Sequence, residues 1–358
     1  MDFDLFRDKV ILVTGAAGSI GSEVVKQLLK YEPRAIRALD TNETGLFYLE
    51  NALDSECLRI FIGDVRDTER LSMAMRGVDI VFHTAALKHV PICEYNPFEA
   101  IRTNNLGTQN VLQMAIHNKV NKVITISSDK AINPTNVMGA TKLLAERLTI
   151  AANLYSGFPG RHSFSTVRFG NVLGSRGSVI PLMFRQIRRG EPVTITDPEM
   201  TRYIMKIDDA VQLVLRAATM SRGGEIFILE MPALRVADLV DSIIEVAVPR
   251  YKRDPSEVKT KIIGRRAGEK DYEELMSNYE SDNYHLLKKD KIYILIPKEP
   301  YYYPDEILEY YKELGAEMEV KDRNKLYSSN KAELLTKEQI TLYIKDVVNN
   351  NFHSLDFE

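Results

Sequence analysis

The chain has 358 residues and carries 47 Lys and Arg against 50 Asp and Glu, a formal net charge of −3 at pH 7. That length suits one large α/β unit or a large domain with a smaller one, and the near-neutral balance leaves no global positive field to gather nucleic acid. Two cysteines, Cys57 and Cys93, are too few for a disulfide framework and lack zinc-ligand spacing, so idle thiols and no metal are expected, and with no basic leader or run of about 18 apolar residues the expectation is a soluble, cytoplasmic chain without membrane insertion.

Val10-Ile11-Leu12-Val13 is a β-branched run that ends in Thr14-Gly15, and Ser22 to Leu29 follows with apolar residues at helical spacing. This reads as strand, glycine turn, helix. Further strands are expected at Ala35 to Leu39, Leu58 to Ile62, Asp79 to His83 and Lys122 to Ser127, with helices between most of them. Strands alternating with helices imply a doubly wound, Rossmann-like parallel sheet covered on both faces. Beyond about residue 170 the alternation weakens. Gly174 to Pro181 reads as a glycine and serine loop, with isolated strands at Val193-Thr194-Ile195 and Glu225 to Leu229. The expected organisation is a dinucleotide-binding domain over residues 1–170, with later segments returning to it, a substrate-binding region over 171–283, and a surface extension over 284–358 that is helical at Pro304 to Glu313 and Thr336 to Val348.

Gly15-Ala16-Ala17-Gly18-Ser19-Ile20-Gly21 sets three glycines at a three-residue step between a strand and a helix. Backbone N–H groups and the helix dipole there face an anion, and a pyrophosphate fits on Gly15, Ala17, Gly18, Ser19, Ile20 and Gly21. Asp40 ends the second strand, where a carboxylate accepts hydrogen bonds from ribose hydroxyls and repels a 2′-phosphate. NAD is therefore favoured, and Arg37 on the same strand leaves NADP open. Asp64-Val65 and Ala85-Ala86 follow the third and fourth strands, at the ligand-binding end of such a sheet. Asp64 is open to two readings, adenine contact or helix N-cap; His83 is read as structural.

Together with Asn104-Asn105-Leu106-Gly107-Thr108 and Lys142, these features resemble the extended short-chain dehydrogenase/reductases over roughly residues 8–280. Ala86-Leu87-Lys88-His89-Val90-Pro91, Ser127-Ser128-Asp129-Lys130-Ala131, Asn136 to Lys142, Arg168 to Ser175, Met200-Thr201-Arg202-Tyr203 and Gly268-Glu269-Lys270 look like the polysaccharide-biosynthesis group of UDP-N-acetylglucosamine 4,6-dehydratases. The resemblance is to its short soluble form. One departure from the wider superfamily stands out: Met138 occupies the place of the tyrosine four residues before the lysine. A thioether accepts no proton, so Met138 is read as a wall of the site, as in some members of this group.

The resemblance implies a nucleotide-sugar substrate, oxidation at C4, loss of water across C5 and C6, and hydride return to C6. It assigns Asp129 to protonate the leaving C6 hydroxyl and Lys130 as base at C5. Lys142 would bind the nicotinamide ribose, and Asn104 is placed with the cofactor. The acceptor of the O4 proton is open among Asp129, Lys142 through water, and Ser128 as a relay, with Asp129 preferred. Asn171 is placed on the substrate pyrophosphate, with Ser178, Val179, Thr194, Arg202, Arg266 and Glu269 around the nucleotide and Lys88 on the substrate side. Rival readings are a nucleotide-sugar 4-epimerase, a GDP-linked substrate, and an NAD-binding sensor without turnover. Homo-oligomers are common in the family, and one is expected on that ground alone.

Overall fold

A computed structural model describes residues 3–156, 162–175, 177–319 and 327–355. The strands in chain order are β1 (Val10–Thr14), β2 (Ala35–Asp40), β3 (Leu58–Ile62), β4 (Ile80–His83), β5 (Lys122–Ile126), β6 (Ser163–Arg168), β7 (Asn171–Val172), β8 (Val193–Ile195), β9 (Thr201–Met205), β10 (Ile226–Leu229), β11 (Ala233–Arg235), β12 (Thr260–Ile262), β13 (Tyr284–Lys289), β14 (Ile292–Pro297) and β15 (Glu317–Met318). They divide between two compact units, one made of Met1–Phe169, Val211–Glu230 and Met276–Asn324, the other of Gly170–Ala210, Met231–Leu275 and Lys325–Glu358.

The first unit is built on a ten-stranded sheet of order β15-β13-β14-β10-β6-β5-β4-β1-β2-β3. From β3 to β10 neighbouring strands run parallel, as the alternation of strands and helices requires. β1, β4 and β6 are buried along their whole length, because helices cover both faces and leave no wet side for polar residues. One face carries a core of Leu12, Leu71, Met75, Val81, Val111, Val123 and Phe164. Because the strands are parallel, their carboxyl ends lie along one edge, which gathers the glycine turn after β1, Asp40, Thr84 to Ala86 and Ser127 to Lys130.

The second unit holds a three-stranded sheet of order β11-β9-β7 and a pair of β12 with β8. Helices Val179–Arg189, Val236–Arg250 and Lys337–Leu355 pack around Leu173, Ile180, Phe184, Leu239, Ile243, Ile340, Ile344 and Val347.

Two expectations are corrected. Residues from 284 onward are not a surface extension. β13 and β14 form an antiparallel hairpin whose second strand pairs with β10, and β14 is fully buried. The Lys- and Tyr-rich composition hid it, since the apolar positions Leu286, Leu287 and Ile292 to Ile296 sit between lysines. Lys325–Glu358 falls in the second unit, where helix Lys337–Leu355 contributes to the core. The loop read as Gly174 to Pro181 also ends early: a helix begins at Val179 with Ser178 as N-cap, Pro181 being tolerated in a first turn that needs no N–H donor there.

Candidate active site and nucleotide pocket

The turn after β1 is shaped by close backbone approach. Gly15 has φ +69°, and a Cβ on it would lie 2.6 Å from the Ala85 nitrogen; a Cβ on Gly21 would lie 2.2 Å from the Gly15 carbonyl oxygen. Helix Ser19–Leu28 starts there with Gly18 as N-cap and no side-chain cap, so its first turn presents N–H groups to an anion. Asp40 closes the cradle: its carboxylate accepts from the Ala17 N–H at 2.9 Å and the Asn42 N–H at 2.9 Å. Each oxygen keeps a second lone pair for a hydroxyl donor. The cradle fits a dinucleotide.

Several predicted cofactor residues have other work. Arg37, the reason for leaving NADP open, donates to the carbonyls of Ala74 at 2.6 Å and Arg76 at 2.8 Å and lies 5.7 Å from the Phe61 ring centroid. Those contacts tie its Nη1 to main-chain carbonyls and its guanidinium to the Phe61 ring. Asp64 is not a helix N-cap: Asp67 caps helix Thr68–Met75, while Asp64 is gripped by the Arg66 side chain at 2.6 Å and 2.9 Å and by its N–H at 2.9 Å. The Arg66 hydrogen bond holds the Asp64 carboxyl below the usual carboxylate range. The Val65 side chain is buried in the core, which leaves only its backbone for a ligand. Asn104 is a clamp: its amide accepts from the Leu87 N–H at 2.7 Å and donates to the Leu87 carbonyl at 3.0 Å and the Thr141 hydroxyl at 2.9 Å, so it positions the loop after β4 against helix Val137–Tyr155. It sits in a π-helical segment, Arg102–Leu106, a local underwinding that the sequence pattern does not signal.

The groups capable of proton transfer collect at the end of β5. Asp129 is wholly buried. Its Oδ1 accepts from the Ser128 hydroxyl at 2.8 Å and the Lys130 ammonium at 2.9 Å, while its Oδ2 is buried with no hydrogen-bond partner. An orphaned buried carboxylate oxygen costs roughly several kcal/mol unless a ligand hydroxyl meets it. The Lys130 side chain keeps about a quarter of its surface, at 23% exposure. Lys142, on helix Val137–Tyr155, donates to the Ile126 carbonyl at 2.9 Å. Burial draws its ammonium down to about 8, against the pull of the Glu146 carboxylate. Met138 is 3% exposed and packs with Cys93, Ala100, Leu87 and Val90, a wall of hydrocarbon and sulfur. Cys93 is accordingly buried; Cys57 is half-buried, and both are free thiols.

His83, read as structural, is buried in a hydrogen-bond chain with Thr14 and Thr108. Two features escaped the sequence reading. Ser127 has a buried hydroxyl without a partner. Arg168 is enclosed with Glu146 and Glu280, which lies 112 residues away in sequence. A strand-terminal arginine gives no hint of such distant partners.

In the second unit, Asn171, Ser178, Val179, Thr194, Arg202, Arg266 and Glu269 line one cavity of about 310 Å³, with Leu173, Met183, Ile204, Leu234 and Leu239 supplying apolar walls. The predicted set is thus brought together, apart from Lys88, which is an exposed residue of the first unit. Asn171 donates to the Tyr203 carbonyl at 3.2 Å. The Ser178 hydroxyl, at the start of the eleven-residue helix Val179–Arg189, is buried without a partner. Thr194 is oriented by the Gln186 amide, which donates to its hydroxyl at 3.0 Å. Arg202 donates to the carbonyls of Thr201, Asp271 and Lys270 at 2.8 to 3.2 Å, so it braces the pocket wall. Arg266 is exposed, and its N–H donates to Glu269 at 3.1 Å. Among the described residues no cluster of His, Cys, Asp or Glu could hold a metal ion.

The profile of a family described as polysaccharide biosynthesis protein matches residues 11–296. The chain belongs to this family. A relative from Methanocaldococcus jannaschii, described as an uncharacterised membrane protein, is 52% identical over 96% of this chain and 97% of its own. No helix among the described residues is long and apolar enough to cross a membrane. A Campylobacter jejuni family relative described as UDP-N-acetylglucosamine 4,6-dehydratase (inverting) is 43% identical over 79% of this chain and 84% of its own. Another, described as UDP-glucose 4-epimerase from Rickettsia akari, is 44% identical over 76% and 79%. Among solved structures, Pen from Bacillus thuringiensis superposes with a TM-score of 0.84 at 38% identity, covering 95% of this chain and 98% of that one. MoeE5 in complex with UDP-glucose and NAD gives 0.60 at 26%, covering 72% and 86%.

Proposed function

We propose that this family member is a 4,6-dehydratase that converts UDP-N-acetylglucosamine to its 4-keto-6-deoxy product, with NAD as cofactor. The observation that carries the reading is the Asp129–Lys130 pair, a buried carboxylate with one open oxygen bonded to an amine, beside a methionine in place of a phenol. The glycine cradle, Asp40 and the NAD-bound neighbour support the cofactor, and the C. jejuni relative supports the substrate. The cavity in the second unit is the seat for the nucleotide, where Asn171, the Ser178 hydroxyl and Arg266 offer donors for its phosphates.

NAD, when bound, supplies the hydride acceptor for sugar C4 and the hydride donor for C6. Asp129 takes the O4 proton on Oδ2 as C4 is oxidised. A proton there removes the anion facing Lys130, which releases its ammonium proton to solvent and becomes the neutral amine. Lys130 then accepts the C5 proton, acidified by the new ketone, while Asp129 passes its proton to the C6 hydroxyl, which leaves as water. When C6 is reduced, Lys130 returns a proton to C5. The product keeps the C4 ketone; Asp129 ends as the carboxylate, and Lys130 regains from solvent the proton it released. Lys142, while protonated, adds a positive charge near the site, and Met138 excludes water from one side.

The deciding experiment incubates the protein with NAD and UDP-N-acetylglucosamine in deuterated water and follows the sugar by mass spectrometry and NMR. The expected result is loss of one water with deuterium at C5, and the C5 couplings read the configuration. Inversion at C4 alone, the reaction named for the Rickettsia relative, would replace this reading with an epimerase. Dehydration of a GDP-sugar only would change the substrate. Bound NAD with no turnover of either would leave a sensor.

A further inference from the structure

Arg168 at the end of β6, Glu146 on helix Val137–Tyr155 and Glu280 on helix Asn278–Asn283 are each at most 1% exposed. Both Glu146 oxygens accept from Arg168, at 3.0 and 2.6 Å, and both Glu280 oxygens accept from it, at 2.8 and 3.3 Å. Glu280 also takes the Ser277 N–H at 2.9 Å and its hydroxyl at 3.1 Å. Burial alone would raise the Glu280 carboxyl, but the Arg168 guanidinium and the Ser277 N–H outweigh it and hold it below the ordinary range. A single Arg168–Glu146 pair would be neutral and would leave the Lys142 ammonium, one helical turn before Glu146, buried against a neutral carbonyl. Isolated buried charges are not tolerated. With Glu280, the four groups Lys142, Arg168, Glu146 and Glu280 sum to zero, while Arg147, bonded to the Tyr284 hydroxyl, adds a positive charge on the Glu280 side.

We infer that Glu280 is a positioning residue for the reaction: by sharing the Arg168 guanidinium with Glu146, it leaves Glu146 the negative charge that keeps the Lys142 side chain an ammonium. The elements packed on helix Val137–Tyr155 otherwise bring Cys93, whose thiol burial pushes up, and Glu94 from helix Val90–Tyr95, neutral His83 from β4, the mutually paired Asp129 and Lys130, and Tyr284, bonded to Arg147 of the helix itself, with Glu299 beside it. Glu99 and Arg102 are solvent-exposed partners of each other. Glu280 arrives from the segment that re-enters the first unit after the chain has built most of the second, so the charge of Lys142 depends on that late return.

The test titrates Lys142 by NMR in protein labelled with ¹³C at lysine Cε, the resonance assigned with Lys142→Arg. Glu280→Gln is expected to move the Lys142 titration to lower pH by about half a unit or more, an opposite charge having been removed from the cluster. Glu280→Asp, the same charge set back by one methylene, should shift it less in the same direction, and it carries the test if the Gln variant does not fold. An unchanged Lys142 titration in a folded variant overturns the inference. Equal shifts in both variants also overturn it, since they would report a moved backbone and not a lost charge. The kinetic arm rests on the dehydratase reading: the alkaline limb of kcat against pH should move with the Lys142 resonance. Because the resonance is read without turnover, failure of that reading leaves the titration standing as the test.

Discussion

His83 Nδ1 and the Thr14 hydroxyl lie 2.8 Å apart at the ends of neighbouring strands, directly beneath the glycine turn. The direction of each proton can be deduced. The Thr108 hydroxyl donates to the Asn104 carbonyl at 2.6 Å, so it must accept from His83 Nε2 at 2.9 Å; Nδ1 is then the acceptor from Thr14. The ring is a neutral Nε2–H tautomer, and with burial foremost and the Lys142 charge adding to it, its protonation is pushed down to about 3. A histidine depressed in the folded state binds its proton preferentially when unfolded, so its share of stability is complete above about pH 6.5 and is lost as pH falls towards 3. About 2 kcal/mol should be gone by pH 5 on this account. Urea unfolding of the wild type and of His83→Gln across pH 5 to 7.5 checks it. The variant should be less stable at pH 7.5, by about 1–3 kcal/mol for a broken buried network, yet should show a shallower acid slope. Parallel slopes would refute the assignment.

Gly21→Ala should abolish dinucleotide binding, because the added carbon would sit 2.2 Å from backbone and neither helix nor turn can yield without opening the cradle. Asp40→Ala, which removes the acceptor of two backbone N–H groups, should weaken NAD by about tenfold or more, the worth of about 1.4 kcal/mol. With the Arg37 Nη1 held by the carbonyls of Ala74 and Arg76, Asp40→Ala is expected not to convert the protein to NADP. Calorimetric titration with both cofactors measures this, and tight NADP binding by either form would be the contrary outcome.

Asp129→Asn keeps the shape but holds no exchangeable carboxyl proton. The expectation is a loss of about 10²- to 10⁴-fold in kcat, the usual range for a positioned acid or base, with NAD affinity unchanged. Lys130→Met should fall similarly and should stop deuterium entry at C5. Rapid quench with deuterated solvent separates the two, and an Asp129→Asn enzyme at full rate would remove it from the mechanism.

Gly174 has φ +70°, and a Cβ there would meet a Val347 methyl at 2.5 Å. Gly174→Ala should therefore displace the loop between Asn171 and Ser178 and raise KM for the nucleotide sugar, while the NAD dissociation constant, set in the other unit, stays put. Gly174→Ala combined with Val347→Ala relieves the contact but not the backbone strain and should recover part of the loss. Initial-rate kinetics beside NAD titration read both quantities.

The parallel sheet was legible because β1 to β5 are short apolar runs separated by helical spacing, and the cradle because its glycines sit where a strand meets a helix; β6, Ser163–Arg168, with its polar residues, was not read. Met138 and the Asp129-Lys130 pair were legible as residues in order along a motif. What the sequence concealed is of two kinds. Contacts between distant positions, such as Arg168 with Glu280, leave no periodic trace, since each is one polar residue in an ordinary context. Bracing contacts were concealed as well: Asn104, Arg37 and Arg202 all donate to main-chain carbonyls. Composition misled once, in the hairpin after Tyr284, where lysines at the strand ends outweighed the apolar residues between them.

That hairpin bears on how the protein is made. β6 finds its second parallel neighbour only when β10 has been synthesised, and β10 is covered only by β14, more than a hundred residues after β6. A chain emerging from the ribosome therefore carries a half-finished sheet with an open flank through the making of most of the second unit. Truncations that stop before Pro297 should leave that flank bare, and a bare parallel flank recruits other strands.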